Sequence, residues 1–134
     1  MPPTGVCFEI TETAAIANLA EATRFMHRLK ELGCRFALDD FGSGLSSFAH
    51  LRALPVDFLK IDGAFVRDIE SDPVDYAMVE AINRIGHLLG LETIAEYVES
   101  ESILARVAAL GVDLVQGFAL GRPRPVADLV TVVS

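Results

Sequence analysis

Short apolar runs alternate along the chain with longer segments in which apolar residues recur every three or four positions. Runs of the first kind predict buried strands, and segments of the second kind predict amphipathic helices. The strands are predicted at residues 6–9, 36–39, 58–61, 92–96 and 113–116. The helices are predicted at 19–32, 78–89 and 103–110, with shorter ones at 46–53 and 127–133. This alternation is typical of an α/β domain with a parallel sheet and outer helices.

The same dipeptide, leucine followed by glycine, marks the predicted end of three helices. It occurs at Leu32-Gly33, Leu89-Gly90 and Leu110-Gly111, and an apolar run follows each pair within a few residues. Glycine just past a helix end takes the left-handed conformation that closes the last turn. The segment Leu54-Pro55-Val56 is predicted to do the same before the strand at 58–61. The sequence therefore predicts a repeated helix–strand unit.

Every predicted strand ends on a polar side chain. These residues are Glu9, Asp39, Asp40, Lys60, Glu96 and Gln116. In a parallel sheet the carboxyl ends of the strands lie on one rim, where the active sites of β/α barrels and open α/β sheets are found. A strand that simply stops where polarity begins would explain any one of these residues. It explains less well why most of them are carboxylates, so we favour a site on this rim.

Four of the rim residues, Glu9, Asp39, Asp40 and Glu96, carry carboxylates that would repel one another unless cations or protons neutralise them. Oxygen ligands without histidine or thiolate favour Mg²⁺ or Mn²⁺ over zinc. Two such ions could activate water and clamp a phosphodiester for in-line displacement. Taken alone, Asp39-Asp40 could equally begin a turn and cap the following helix. The joint pattern favours the metal site.

Composition narrows the possible functions. The chain has 134 residues, enough for one domain, which is predicted to span residues 1–134. The net charge of -8 argues against a nucleic-acid polymer as partner, since such binding needs a basic surface. No apolar stretch approaches the roughly 18 residues of a membrane span. Cys7 and Cys34 lie in apolar stretches and are predicted to be buried, reduced thiols of a cytoplasmic protein, with a disulfide as the alternative.

Five short motifs occur in the order and spacing of one known family. They are Glu9-Ile10-Thr11-Glu12, Asp39-Asp40-Phe41-Gly42-Ser43-Gly44, Lys60-Ile61-Asp62, Ala95-Glu96-Tyr97-Val98-Glu99 and Gln116-Gly117-Phe118, followed by Gly121-Arg122-Pro123. Each motif alone is weak evidence, whereas five in register are strong. From about residue 6 to residue 125 the chain resembles the EAL domains of cyclic-di-GMP phosphodiesterases. The resemblance implies a TIM-type (β/α) barrel that binds cyclic-di-GMP and two Mg²⁺ or Mn²⁺ ions and forms linear pGpG.

The resemblance also implies roles for the residues that match the family's catalytic positions. Glu9 resembles a ligand of the first metal, Asp39 the aspartate that bridges both metals, and Asp40 a ligand of the second metal. Glu96 looks like a further ligand of the second metal, sometimes assigned as the general base. Lys60 resembles the lysine that hydrogen-bonds the attacking water or a phosphate oxygen.

Other matching positions imply supporting roles. Gln116 is similar to a residue that lines the guanine and phosphate site, and Glu12 to the glutamate that anchors the loop after the paired aspartates. Asp62 and Glu99 are expected to support the metal ligands through hydrogen bonds. Tyr97 departs from the family, because many members carry glycine at that position.

A larger departure is an absence upstream of Glu9. No Glu-Ala-Leu stretch precedes this residue, and no upstream strand supplies the family's asparagine ligand. A complete β/α barrel runs to about 250 residues. We therefore expect the C-terminal part of a barrel, with about five parallel strands and outer helices. Such a fragment of a phosphodiesterase is expected to be inactive alone. The alternative function is a non-catalytic module that binds cyclic-di-GMP or a protein partner.

A partial barrel is expected to leave two open sheet edges, near residues 6–9 and 114–116. Unpaired edge strands favour association, so the chain is expected to self-associate through them. Phe8, Ala37, Phe58 and Ile94 are expected on the inward face of the sheet, where they would lack their usual packing partners. A parent protein could be attached to a membrane through other domains.

Overall fold

The polypeptide forms one sheet with helices against one face. The computed structural model describes residues 7–41, 52–117 and 124–125. The strands are β1 (Cys7–Thr11), β2 (Arg35–Phe41), β3 (Phe58–Ile61), β4 (Glu92–Ala95), β5 (Leu114–Val115) and β6 (Arg124–Pro125). The helices are α1 (Glu12–Ala17), α2 (Leu19–Glu31), α3 (Gly63–Arg67), α4 (Pro73–Leu88) and α5 (Glu101–Ala109).

The sheet follows the order of the chain. Its six strands lie in the order β1-β2-β3-β4-β5-β6, and the first five are parallel to one another. The five predicted strands and the three long predicted helices are therefore confirmed, with ends that differ by at most two residues, except that α4 begins five residues earlier than predicted. The short helices predicted at 46–53 and 127–133 lie largely or wholly outside the described residues.

The three leucine–glycine pairs end helices in the predicted way. Gly33, Gly90 and Gly111 have φ angles of 91°, 78° and 85°, in the left-handed region that glycine adopts without steric cost. Each sits just after the last turn of α2, α4 or α5. The backbone amide of Gly33, for example, donates to the Lys30 carbonyl at 2.9 Å. The chain then enters the next strand at a fixed distance from the helix end.

Two apolar layers cover the two faces of the sheet. The larger lies between sheet and helices and includes Phe36, Leu38, Leu59, Ile61, Ala95 and Val115. The smaller lies on the opposite face and consists of Ala37, Phe58 and Ile94, with Leu114 packed against them. Side chains that alternate along a strand point to opposite faces, so these two sets interleave along β2 to β5. We call the face with the smaller layer the inner face.

Phe8 was predicted on this inner face, and that prediction is wrong. Its ring stacks on Phe36 at a centroid distance of 5.7 Å, on the helix side of the sheet. The physical reason is the alternation of the strand, which puts Phe8 and Glu9 on opposite faces. Ala37, Phe58 and Ile94 do occupy the inner face.

Cys7 also departs from its prediction. Cys34 is buried and Cys7 is exposed, and neither forms a disulfide. Cys7 begins β1, which pairs only with β2 in the described sheet and leaves its other edge uncovered. Because this edge is uncovered, Cys7 is exposed at the start of β1.

The second predicted open edge is wrong. The short strand β6 pairs antiparallel with β5, with Leu114 opposite Pro125 and Val115 opposite Arg124. Such a two-residue strand has no alternating apolar pattern, so the sequence carried no signal for it. No helix in the described ranges combines the length and apolar character needed to cross a bilayer.

A buried polar network ties the helix layer to the sheet. The Thr93 hydroxyl on β4 lies 2.5 Å from Asn83 Oδ1 on α4 and 3.2 Å from Asp113 Oδ2. The Asn83 amide donates to the Leu110 carbonyl at 2.9 Å, at the end of α5. His87 Nε2 contacts Asp113 Oδ2 at 2.7 Å. The network therefore joins α4, α5, β4 and the start of β5, at the end of the sheet opposite the rim.

Candidate active site on the sheet rim

The strands carry four of the predicted residues to one place on the inner face. Glu9 is on β1, Asp39 on β2 and Lys60 on β3, while Glu96 directly follows β4. Glu9 contacts Lys60, and Lys60 lies within the electrostatic reach of both Glu96 and Asp39. We call these four residues the rim cluster.

An irregularity in β2 falls at the paired aspartates. Leu38 pairs with Leu59 and Phe41 pairs with Ile61, so β2 carries one residue more than β3 across this step. A bulge of this kind bends a strand and re-aims its side chains, and bulges are common beside active sites. Asp40 is part of β2, and its side chain lies outside the described part of the structure.

Lys60 is the buried cation of the rim cluster. Its side chain is 3% exposed and its ammonium pairs with Glu9 Oε1. Burial alone would lower the pKa of this lysine, but the hydrogen bond that it donates to Glu9 and the negative charges of Glu96, Glu9 and Asp39 outweigh this effect and raise the pKa. Lys60 therefore stays charged and offsets the repulsion among the surrounding carboxylates.

Glu96 is the most strongly perturbed acid of the site. Burial, a hydrogen bond to Asp39, and the charges of Asp39 and Asp62 raise its pKa to about 8, while Lys60 acts in the opposite direction. Two carboxyl groups can share a hydrogen bond only if one of them carries a proton. At neutral pH the pair Asp39–Glu96 therefore holds a proton between them.

Gln116 lies beside Glu96 through backbone pairing. The Gln116 backbone amide donates to the Ala95 backbone carbonyl at 2.9 Å, and the Val98 backbone amide donates to the Gln116 backbone carbonyl at 3.0 Å. Gly117 follows with a φ of 145°, and a Cβ there would overlap the backbone of Val98. Glycine is therefore required at position 117 because the Val98 backbone lies so close to it. An ordinary turn would not impose this requirement.

Three further residues were predicted to support the site, namely Asp62, Glu99 and Glu12. Asp62 caps α3, since its Oδ1 accepts a hydrogen bond from the Ala64 amide at 2.9 Å. Its negative charge also helps to raise the pKa of Glu96. Glu99 is exposed and lines a separate cavity with Arg67. Glu12 begins α1, and its side chain is outside the described region.

A contact between Tyr97 and Gly63 was not predicted from the sequence. Tyr97 has a φ of 57°, the one positive value among the non-glycine residues described. Its ring lies on Gly63, where an added Cβ would overlap three ring atoms. The family's preference for glycine at position 97 was the available signal, because such a preference is typical of a left-handed backbone.

The described residues fit part of a site for a hard cation. Glu96 Oε1 and Gln116 Oε1 are buried, and neither has a hydrogen-bond partner among the residues that the structure describes. Such oxygens require a proton or a cation as a partner. The proton between Asp39 and Glu96 occupies a place to which the two carboxyl groups would attract a cation. Within residues 7–41, 52–117 and 124–125, no group of three or more acidic, histidine or cysteine side chains is arranged to hold a metal ion. Asp39 and Glu96 are two of the described residues that could contribute oxygen ligands to such a cation.

Comparison with known proteins agrees with this geometry. The family model described as "EAL domain" matches residues 1–123. The chain is 47% identical over 128 residues to the cyclic di-GMP phosphodiesterase PdeB of Shewanella oneidensis, covering 96% of this chain and 15% of PdeB.

Two solved structures show the same likeness. The PaMucR phosphodiesterase in complex with c-di-GMP superposes with a TM-score of 0.85 at 36% identity, covering 97% of this chain and 53% of that one. The manganese and cyclic-di-GMP complex of Klebsiella pneumoniae BlrP1 gives 0.82 at 32% identity, over 92% of this chain and 31% of BlrP1. The predicted fold class, α/β with part of a TIM-type barrel, is confirmed. The chain belongs to the EAL domain family.

Proposed function

We propose that residues 1–134 supply part of the active site of a phosphodiesterase that hydrolyses cyclic-di-GMP to linear pGpG. The observation that carries the proposal is the rim cluster, in which a buried lysine lies among three carboxylates at the ends of successive parallel strands. The names of the relatives support the substrate, and BlrP1 was solved with manganese and cyclic-di-GMP. The chain spans about half the length of the solved PaMucR chain, so other segments of such a domain would complete the site.

The carboxylates of Asp39, Asp40, Glu9 and Glu96 would hold Mg²⁺ or Mn²⁺, and such ions would supply the activation of water and the binding of the phosphodiester. Asp39 and Glu96 would give up their shared proton when a cation takes its place. Glu96 would then be free to accept a proton from the attacking water. Because this chain has a net charge of -8, an anionic dinucleotide needs local positive charge to approach the rim.

Lys60 would provide part of that positive charge. Its ammonium has three donors, and the contact with Glu9 uses one of them. The remaining donors could hydrogen-bond a phosphate oxygen or the attacking water. Gln116, whose Oε1 has no hydrogen-bond partner in the described part of the chain, could accept a hydrogen bond from the substrate. Glu12, Asp62 and Glu99 would act indirectly, by holding the segments next to these groups.

The two unpaired thiols support a cytoplasmic location. Cys7 and Cys34 form no disulfide, and free thiols persist in reducing compartments. The open edge of β1 supports self-association, because Phe8 is 40% exposed there and the backbone groups on that edge have no partner in the described sheet. Sedimentation of the chain at micromolar concentration tests this point, and a purely monomeric, folded species would contradict it.

The test of the function is metal-dependent turnover. We expect the full-length protein that contains these residues to convert cyclic-di-GMP to pGpG with Mn²⁺, as followed by chromatography. The Asp39→Asn variant is expected to lose activity by about 1,000-fold or more, because losing a metal ligand removes several kcal/mol of transition-state stabilisation. The matched control is Asp68→Asn, which makes the same change at an exposed residue after α3.

Three outcomes distinguish the alternatives. Equal turnover by Asp39→Asn and Asp68→Asn would contradict the proposed site. Binding of cyclic-di-GMP without turnover by the full-length protein would favour the non-catalytic module instead. The 134-residue chain alone is expected to show no appreciable turnover, and activity near that of the full-length protein would mean that this chain supplies every essential group.

A further inference from the structure

We propose that Tyr97 is a positioning residue for Glu96, and that Gly63 is the seat that the Tyr97 ring requires. The inference rests on the proposed function, since it concerns how one carboxylate of that site is held. It assigns a role to a residue that the family pattern does not include, at a position where this chain departs from the usual glycine.

The first observation is the backbone of Tyr97. Its φ of 57° lies in the left-handed region, which is unfavourable for a residue with a bulky side chain. Strained residues of this kind persist only where the surrounding structure holds them, and they are concentrated at functional sites. Glycine would adopt the same conformation without cost. The tyrosine side chain must therefore make contacts that offset the strain.

The second observation is where the ring lies. A Cβ built on Gly63 would overlap Cγ, Cδ2 and Cε2 of Tyr97, so the ring rests directly on the Gly63 backbone. Gly63 is buried and begins α3, directly after the capping residue Asp62. The ring thus connects the segment after β4 to the turn after β3. Glu96 belongs to the segment after β4, and Lys60 lies on β3, just before the turn that contains Gly63.

The third observation is how the segment after β4 is otherwise attached. The Glu96 amide donates to the Ile61 carbonyl at 3.4 Å, and the Val98 amide donates to the Gln116 carbonyl at 3.0 Å. Tyr97 is the residue between these two attachments. The contact of its ring with Gly63 is a third attachment. This contact fixes the direction of the backbone after Glu96.

The fourth observation is a cavity that borders Tyr97. A space of about 450 Å³ is lined by Arg67, Tyr97, Glu99 and Ile103. The Tyr97 side chain remains 53% exposed, so packing does not enclose the ring on all sides. A ring displaced from Gly63 therefore has room to move outward without unfolding the helix layer. This makes Gly63 the contact that decides the ring's position.

A displaced ring would loosen Glu96 relative to Asp39 and Lys60. Since these carboxylates would hold the cation, the expected consequence is weaker Mn²⁺ binding by a chain that remains folded. Removing the ring and displacing it should have the same effect, and making both changes together should add little. Phenylalanine keeps the ring and should therefore preserve binding.

The experiment is a double-mutant cycle on the 134-residue chain. Mn²⁺ dissociation constants are measured by calorimetry for the unaltered chain, Tyr97→Gly, Gly63→Ala and the double variant. We expect about tenfold weaker binding in each of the three variants, and unchanged binding in Tyr97→Phe. Gly90→Ala is the control for adding a methyl group, because its Cβ would meet open space.

A second readout separates positioning from folding. Tyr97→Gly removes the backbone strain, so its denaturation midpoint should stay equal or rise while Mn²⁺ binding weakens. The Gly63 α protons should show a ring-current shift in the unaltered chain and in Tyr97→Phe, and lose it in Tyr97→Gly.

The outcomes are distinguishable from those of the proposed function. If the unaltered chain binds Mn²⁺ and the Tyr97 and Gly63 variants bind it equally well, the positioning role is overturned and the metal site stands. If the effects of Tyr97→Gly and Gly63→Ala simply add, the ring and its seat act separately and the inference is likewise overturned. If the unaltered chain binds no Mn²⁺, the metal site loses its support and this inference is overturned with it.

Discussion

The carboxyl groups of Glu96 and Asp39 share a hydrogen bond on the sheet rim. A proton there reduces the repulsion that two buried anions would otherwise suffer. The same place is where a divalent cation would relieve that repulsion more fully. Proton and cation are therefore expected to compete for this pair, and the competition can be measured.

Mn²⁺ binding by the chain is expected to strengthen as the pH rises from 6 to 8. The pKa of Glu96 is raised to about 8, so below that pH a proton must leave before the cation binds. Calorimetry in two buffers of different ionisation enthalpy should show release of about one proton near pH 7. Glu96→Gln should abolish the release, and a release that persists in this variant would place the proton elsewhere.

The stability of the metal-free chain should carry the opposite pH dependence. The folded chain binds the Glu96 proton more tightly than the unfolded chain, where the pKa is near 4.5. This proton therefore contributes stability that is fully present below pH 4.5 and is lost as the pH rises through about 8. The difference in free energy of unfolding between the unaltered chain and Glu96→Gln isolates the effect. A difference that does not change with pH would contradict it.

Lys60→Met should destabilise the metal-free chain by about 1–2 kcal/mol at pH 7, since Glu9, Asp39 and Glu96 would lose their buried counter-ion. The figure is modest because the Glu9 side chain is 53% exposed and water screens its charge. Lys30→Met is the matched control, because Lys30 pairs with Asp57 at 2.8 Å with both side chains about 30% exposed. Urea denaturation should give a loss below about 1 kcal/mol for this control. Equal losses would mean that burial of Lys60 adds nothing.

Gly117→Ala should destabilise the chain by about 3 kcal/mol or more. An alanine Cβ at this position would overlap backbone atoms of Val98, which cannot move aside as a flexible side chain could. Gly90→Ala is the control, since its φ is also positive but its Cβ meets no atom within 4 Å. That change should cost about 1 kcal/mol through backbone strain alone. Thermal denaturation of both variants decides whether the contact with Val98 matters.

Thr93→Val should destabilise the chain by about 1–3 kcal/mol, because it leaves Asn83 Oδ1 without its buried donor. Valine has nearly the same shape, so the loss reports the hydroxyl group. Thr23→Val is the control, since the Thr23 hydroxyl donates only to the Leu19 carbonyl of its own helix at 2.7 Å. A change within about 0.5 kcal/mol is expected there. Similar losses at both positions would show that the network has no special weight.

The long elements could be predicted because their apolar patterns differ. β2 contains the uninterrupted apolar run Phe36-Ala37-Leu38, whereas apolar residues recur every three or four positions in α2 and α4, and the leucine–glycine pairs mark the helix ends. The shortest elements were missed for the same reason. The helices α1 and α3 have 6 and 5 residues, too few to show a period, and β6 has 2.

The site was predictable in composition and less so in contacts. The polar residues at the carboxyl ends of the predicted parallel strands were expected on one rim, and the structure brings four of them together there. The pairing of Glu9 with Lys60 joins positions 51 residues apart, and no local pattern encodes it. The proton shared by Asp39 and Glu96 depends on burial, which the sequence does not supply. The contact between the Tyr97 ring and Gly63 depends on the positive φ of Tyr97. The sequence signal for this angle was that many family members carry glycine at position 97.

The leucine–glycine helix ends also fix how insertions and deletions would act. Asp39 lies six residues after Gly33, Glu96 six after Gly90, and Gln116 five after Gly111. Within these spans, losing one residue would turn the rim side chain from the inner face to the helix face. Length changes between a helix-ending glycine and its rim residue are therefore expected to abolish the site, so a recombination between relatives should keep each of these spans whole.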